Sequence, residues 1–220
     1  LAAYDTYRED SDDMMRLVGT LAAMREPIDW GAPIALSSIN SPDGSTVIYI
    51  DGMPILTMVL RVLAQFGGLW IDPAFVFNGI MIAALLAAPA AAATVARALG
   101  ADRPMALIAG ALVVWLAPLV WFASQYQQSI LPWMPVAIVV AAAIGVERGR
   151  RFSGWAVTAA ALAWWIHAYH GVMASMVLGI TAVMVARRLP REAGRMIATA
   201  IIAPLSIVAL GGIGTVHDGG

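Results

Sequence analysis

The chain has 220 residues, 60% of them apolar and 12% charged, with a net charge of −1 and no cysteine. A soluble domain is about 25% charged, so too little polar surface is available here to coat a globular core, and mean hydropathy is +0.79. The balance of charge excludes a nucleic-acid footprint, and the absence of cysteine excludes disulfides and thiolate metal sites. These features describe an integral membrane protein. All 13 basic residues are Arg, a usage that, with the abundance of Ala, fits a GC-rich bacterial genome. The chain opens on Leu1 and ends on Gly220, and both ends read as truncations of a larger protein.

Charge concentrates at the N-terminus: ten of the fourteen acids lie in residues 1–72. Met14, Leu17, Val18 and Leu21 recur at helical spacing. They predict an amphipathic helix over 11–25, ended by Pro27 and resting its apolar stripe on the membrane or on neighbouring spans. Asp10 or Ser11 suits the N-cap, Asp12 and Asp13 then lie in the first turn beside the helix dipole, and Arg16 can pair with either. Capping accounts for one carboxylate, whereas three stand within four residues. Such a cluster tends to hold a proton or a cation, and one member can act as a general base towards a hydroxyl. The cofactor stays open, a divalent cation being compatible with the cluster. Arg16 can grip phosphate with two parallel bonds.

Asn40-Ser41-Pro42-Asp43-Gly44 is a turn signal. Asp51 then precedes Pro54, which suits the first turn of a helix; Asp51 is expected either to cap that helix or to touch substrate. The apolar stretch 53–66 is about 14 residues long and contains Arg61. That is too short to cross a bilayer, which predicts an interfacial helix.

Long apolar runs follow at 73–96, 104–123, 131–147, 152–168, 170–186 and 196–214. Barrel strands would alternate apolar and polar residues, and these do not. The expected fold is therefore all-α: a polytopic transmembrane helix bundle of about six spans over 73–220, preceded by an extracytoplasmic loop, 1–72, with amphipathic interfacial helices. Arg97 and Arg103, then Arg148, Arg150 and Arg151, then Arg187, Arg188, Arg191 and Arg195 are separated by pairs of runs. All three clusters fall on one side, which the positive-inside rule makes cytoplasmic. The opposite side receives Gln125–Gln128 and the stretch His167-Ala168-Tyr169-His170-Gly171, read as a tight turn because two imidazoles at mid-membrane would be costly. His167, Tyr169 and His170 are either a solvated turn or a binding cluster; His167 and His170 have metal-ligand spacing but are a lone pair. Trp164 and Trp165 are expected in the interfacial aromatic belt.

The order of the head motifs carries a resemblance. Asp10-Ser11-Asp12-Asp13-Met14-Met15-Arg16-Leu17, then the Asn40–Gly44 turn, then Asp51-Gly52-Met53-Pro54 opening a short apolar helix, resembles the first extracytoplasmic loop of bacterial GT-C-type membrane glycosyltransferases and related polytopic proteins. The resemblance covers residues 8–66, and beyond them only the helix layout matches. It implies a bacterial cytoplasmic (inner) membrane location and transfer of sugar from a polyprenyl-phosphate donor to a glycan or lipid acceptor on the outer face. It also implies that Asp10, Asp12 and Asp13 form the acidic motif, and that a first span precedes Leu1. Arg16, Asp51, His167, Tyr169 and His170 are the expected substrate- and phosphate-binding residues. The competing expectation is a non-catalytic membrane scaffold or a transporter. A transporter should place charged groups or broken helices near the midplane, and the runs carry no acids there.

Overall fold

The computed structural model describes residues 11–36, 45–46, 53–113, 115 and 133–212, and for 11–17, 45–46 and 211–212 the backbone alone. The described residues are dominated by helices: α1 (Ser11–Arg25), α2 (Pro54–Phe66), α3 (Pro73–Ala98), α4 (Arg103–Val113), α5 (Met134–Glu147), α6 (Gly154–Ile166), α7 (Ala168–Val185) and α8 (Pro190–Ile207), which runs into a π-helical turn, Val208–Gly212. Two two-residue strands, β1 (Ala35–Leu36) and β2 (Ser45–Thr46), pair antiparallel with Ala35 opposite Thr46. The all-α expectation holds. Among the described residues, three helices are long and apolar enough to cross a membrane: α3, α7, and α8 with its continuation to Leu210. The other expected spans are shorter among the described residues. At 14 and 13 residues, α5 and α6 rise only roughly 20 Å, against about 30 Å of hydrocarbon.

The chain divides into two compact units, a head drawn from Leu1–Asn78 with Val208–Gly220 and a bundle, Gly79–Ile207. In the head, α1 packs on α2. The predicted bounds of α1 hold. Thr20, Ala23 and Met24 point inward, while Val18, a member of the expected apolar stripe, is half-exposed. Pro54 opens α2 as expected. Met53 is the N-cap residue and makes no side-chain cap bond; Asp51, expected to cap this helix or to touch substrate, lies outside the described residues. Beyond Phe66 the chain turns at Gly68, whose φ of 60° favours glycine, and Leu69 N–H donates back to Leu63 O.

The head contains the most buried charge. The Arg61 side chain is 1% exposed. Its Nη1 donates to Pro33 O, and its Nη2 to Glu26 O at 3.2 Å and Pro27 O at 3.1 Å. One turn on, Gln65 donates through Nε2 to Met24 O and Glu26 O and accepts from Ile28 N–H. Backbone groups just past the end of α1 have no helical partners, so α2 supplies them. Burial lowers the Arg61 guanidinium from its ordinary pKa, and Glu26 opposes that shift.

In the bundle, α5, α6, α7 and α8 pack on one another. Their core is built on Ala156, Ala159, Ala160 and Ala163 of α6, set against Ala174, Leu178, Ala182 and Val185 of α7. These are the spacings of single helix faces, and small side chains let the backbones approach closely, the usual means of packing helices in lipid. Backbones also approach closely between α3 and α4: a Cβ at Gly110 of α4 would stand 2.6 Å from the carbonyl oxygen of Pro89 on α3.

Candidate functional site

The Arg loops meet at one end of the bundle. Arg148, after α5, donates to Leu99 O after α3 at 2.9 Å. Phe152 N–H, before α6, donates to the Glu192 carboxylate in the first turn of α8 at 3.0 Å, and Glu192 also pairs with Arg195. The three clusters that parity placed together are thus together. Ser153 caps α6 by accepting from Ala156 N–H.

The other end holds the histidine cluster. The expected break falls on His167 alone, in extended conformation between α6 and α7. Its Nδ1 accepts from Tyr169 N–H at 3.2 Å and so caps α7. A neutral ring accepting at Nδ1 carries its proton on Nε2. The solvated-turn expectation is overturned, since His167 is 4% and His170 1% exposed. The physical reason lies in the neighbouring rings. Tyr169 stacks on His167 with centroids 5.0 Å apart, His167 meets His170 edge-on at 5.9 Å, and Trp133, at the start of α5, lies 5.2 Å from His170. Tyr169 itself is exposed. Among the described residues no group of three His, Asp or Glu is arranged to hold a metal ion.

Trp164 and Trp165, expected in the aromatic belt, each bond to a neighbouring helix. Trp164 Nε1 donates to Ser175 Oγ on α7 at 3.1 Å, and Ser175 Oγ donates onward to Ala200 O on α8. Trp165 Nε1 donates to Ser206 Oγ on α8 at 3.1 Å. Both indoles therefore tie helices together. Gly171 makes room for Trp164: a Cβ there would fall 2.1 Å from its Cδ2. Trp133, which sequence reasoning did not single out, closes the cluster over His170; a lone Trp beside Pro at a helix start carries no signal that distinguishes this role.

In the head, the backbone of α1 carries Asp12, Asp13 and Arg16 in its first two turns. Asp10, Asp51 and Gln125–Gln128 lie outside the described residues. Of the head's candidates the structure describes Asp12, Asp13 and Arg16, all on α1, and the bundle gathers His167, Tyr169 and His170 at one helix junction.

Comparison with known proteins gives one family. Residues 4–220 match a domain of unknown function, DUF6311. No curated protein and no solved structure matches the chain. The chain belongs to the DUF6311 family.

Proposed function

We propose that this DUF6311 member is a membrane glycosyltransferase of the GT-C kind, using a polyprenyl-phosphate sugar and working at the outer face of a bacterial inner membrane. The observation that carries the reading is the crowding of Asp10, Asp12 and Asp13 at the start of a short helix in the unit that precedes the first long span. Helix capping uses one carboxylate, and the remainder are available for chemistry. One carboxylate takes the proton of an acceptor hydroxyl as its oxygen attacks the anomeric carbon. The bond from that carbon to the lipid phosphate breaks, and the lipid phosphate leaves with the electron pair. Arg16, on the same helix, binds the phosphate oxygens as negative charge develops there. The anchoring of α1 by Arg61 and Gln65 supports the reading, because a base must be held within hydrogen-bond reach of the proton it takes.

The test is Asp12→Asn and Asp13→Asn, made singly in the full-length protein. Transfer from polyprenyl-phosphate sugars and melting temperature would both be measured. Loss of a general base lowers the rate by about 10²–10⁴. Loss of a dipole partner costs only about 0.3–1 kcal/mol of stability. A folded variant with lost transfer supports the reading. Full transfer in both variants and in Asp10→Asn makes the motif structural and removes the proposal's main support.

A further inference from the structure

The head exposes large aromatic and aliphatic side chains at the ends of its two helices and in the linker to α3. Trp30 is 65%, Phe66 68% and Trp70 49% exposed, and Leu69 is similar to Trp70. Trp30, from the turn after α1, meets Phe66, from the end of α2, with ring centroids 6.0 Å apart. The guanidinium of Arg25, the last residue of α1, lies 5.8 Å from the centre of the Trp70 ring. Two helix ends and the linker to α3 thus contribute to one patch, apolar in its body and cationic at its rim. Among the described residues Arg25 makes no ion pair. Glu26, its neighbour in sequence, acts instead on Arg61. Asp29, the other acid of this stretch, accepts from Gly31 N–H.

Chain connectivity fixes the depth of this patch. The span α3 begins at Pro73, three residues after Trp70, and has 26 residues. At 1.5 Å per residue it is roughly 39 Å long, more than the hydrocarbon core of about 30 Å. A spanning helix of that length brings its N-terminal end close to one membrane surface, and Phe75 in its first turn is exposed. Trp70 and Leu69 can lie only a few residues' reach from that surface. Trp rings with a polar edge and an apolar body favour the interface, and a guanidinium there pairs with phosphate.

We infer that Arg25, Trp30, Phe66, Leu69 and Trp70 form a seat on the bilayer interface, in which Arg25, laid against Trp70, binds the phosphate of an anionic phospholipid. The occupant is bulk phospholipid, and the seat stands whether or not the protein transfers sugar. It extends membrane contact from α2 to the C-terminal end of α1, so both helices of the head are held at one depth.

The chain has no cysteine, so single reporters can be placed in the otherwise intact protein. Phe66→Cys and Trp30→Cys, both at exposed positions, would each carry a spin label in nanodiscs of phosphatidylcholine with phosphatidylglycerol. Labels at the seat collide with oxygen in preference to a polar nickel chelate. Preference for the chelate at both sites places the patch in water and overturns the inference. Protection from both probes means a protein covers it, which also overturns it. For the headgroup, a fluorophore at Phe66→Cys is quenched by nitroxide-labelled phosphatidylglycerol or phosphatidylcholine at equal mole fraction. Phosphatidylglycerol is expected to be enriched by up to about fivefold, the attraction of one interfacial cation for anionic lipid. Arg25→Gln should bring the ratio to unity. A ratio of unity before that substitution, or one that survives it, removes the phosphate site.

Discussion

The head and the bundle solve the same problem with opposite means. Helices α5–α8 satisfy their own backbone groups, so they need only shape, and Ala and Gly supply it. In the head, the described chain just past α1 leaves the helix, and its carbonyls need donors from elsewhere. Arg61 and Gln65 provide those donors from α2 to Met24, Glu26, Pro27 and Pro33. A charged residue inside a short apolar helix thus acts as the tie of the head, whereas in the bundle the ties are apolar faces with a few indole–serine bonds. The contrast teaches that, in a chain this apolar, a long side chain on a helix can serve the carbonyls of chain that has left the helix, whereas helix-on-helix packing needs little polar help.

The contrast would break most visibly at Arg61. In Arg61→Met the apolar stem is kept, but Pro33 O, Glu26 O and Pro27 O lose their shared donor. Each buried polar group left without a partner costs about 1–3 kcal/mol, and relief of the buried charge offsets part of the sum. A loss of about 3 kcal/mol is expected. Arg61→Lys should recover only part, because an ammonium is a point and cannot reach both sides of the loop. Hydrogen exchange in detergent would locate the effect: amides of α1 lose protection and those of α6 to α8 do not. Equal loss in both units would mean that the head has no tie of its own.

The complementary change tests shape in the bundle. Gly171→Ala sets a methyl group into the Trp164 ring, which is itself held by Ser175. Overpacking of this kind costs about 1–3 kcal/mol. Gly179→Ala, on the same helix with open space around its Cβ, should be neutral or stabilising by up to about 1 kcal/mol. Unfolding of the detergent-solubilised protein separates the two. Equal effects would show that Gly171 is not there for packing.

How much of this was legible in the sequence follows the same division. The bounds of α1, its stop before Pro27, the break of 152–186 at His167 and the gathering of the Arg loops at one end rest on local pattern or on parity, and they hold in the structure. The inward face of α1 was not legible, because Thr20 and Ala23 are too weakly hydrophobic to mark it in a search for apolar repeats. Arg61 gave no sign of burial, since its acceptors are backbone carbonyls 28 to 35 residues away. The packing of His170 and of the two indoles is not legible from residue type alone. Their partners, Trp133, Ser175 and Ser206, come from other helices, and no spacing rule connects them. For the same reason His167→Gln and His170→Gln are expected to disturb folding, one by removing the cap of α7 and the other by disturbing the rings packed on Trp133.

The smallest effect offers the sharpest view of the bundle's few polar ties. Trp165 Nε1 donates to Ser206 Oγ, and that hydroxyl donates in turn to Ala203 O at 2.7 Å. Ser206→Ala alone therefore mixes two losses, and Trp165→Phe alone adds a change in ring volume. Only the coupling between them isolates the bond across α6 and α8, so the measurement is a double-mutant cycle on unfolding free energy in detergent. Interhelical hydrogen bonds in membrane proteins average about 0.6 kcal/mol, because the unfolded chain also finds partners. A coupling of that size is expected. Trp164→Phe with Ser206→Ala serves as the control and should be additive, since Trp164 bonds to Ser175 instead. Additivity in the Trp165 cycle would leave α6 and α8 joined by shape alone, and the indoles would then be better explained by their position at the membrane interface.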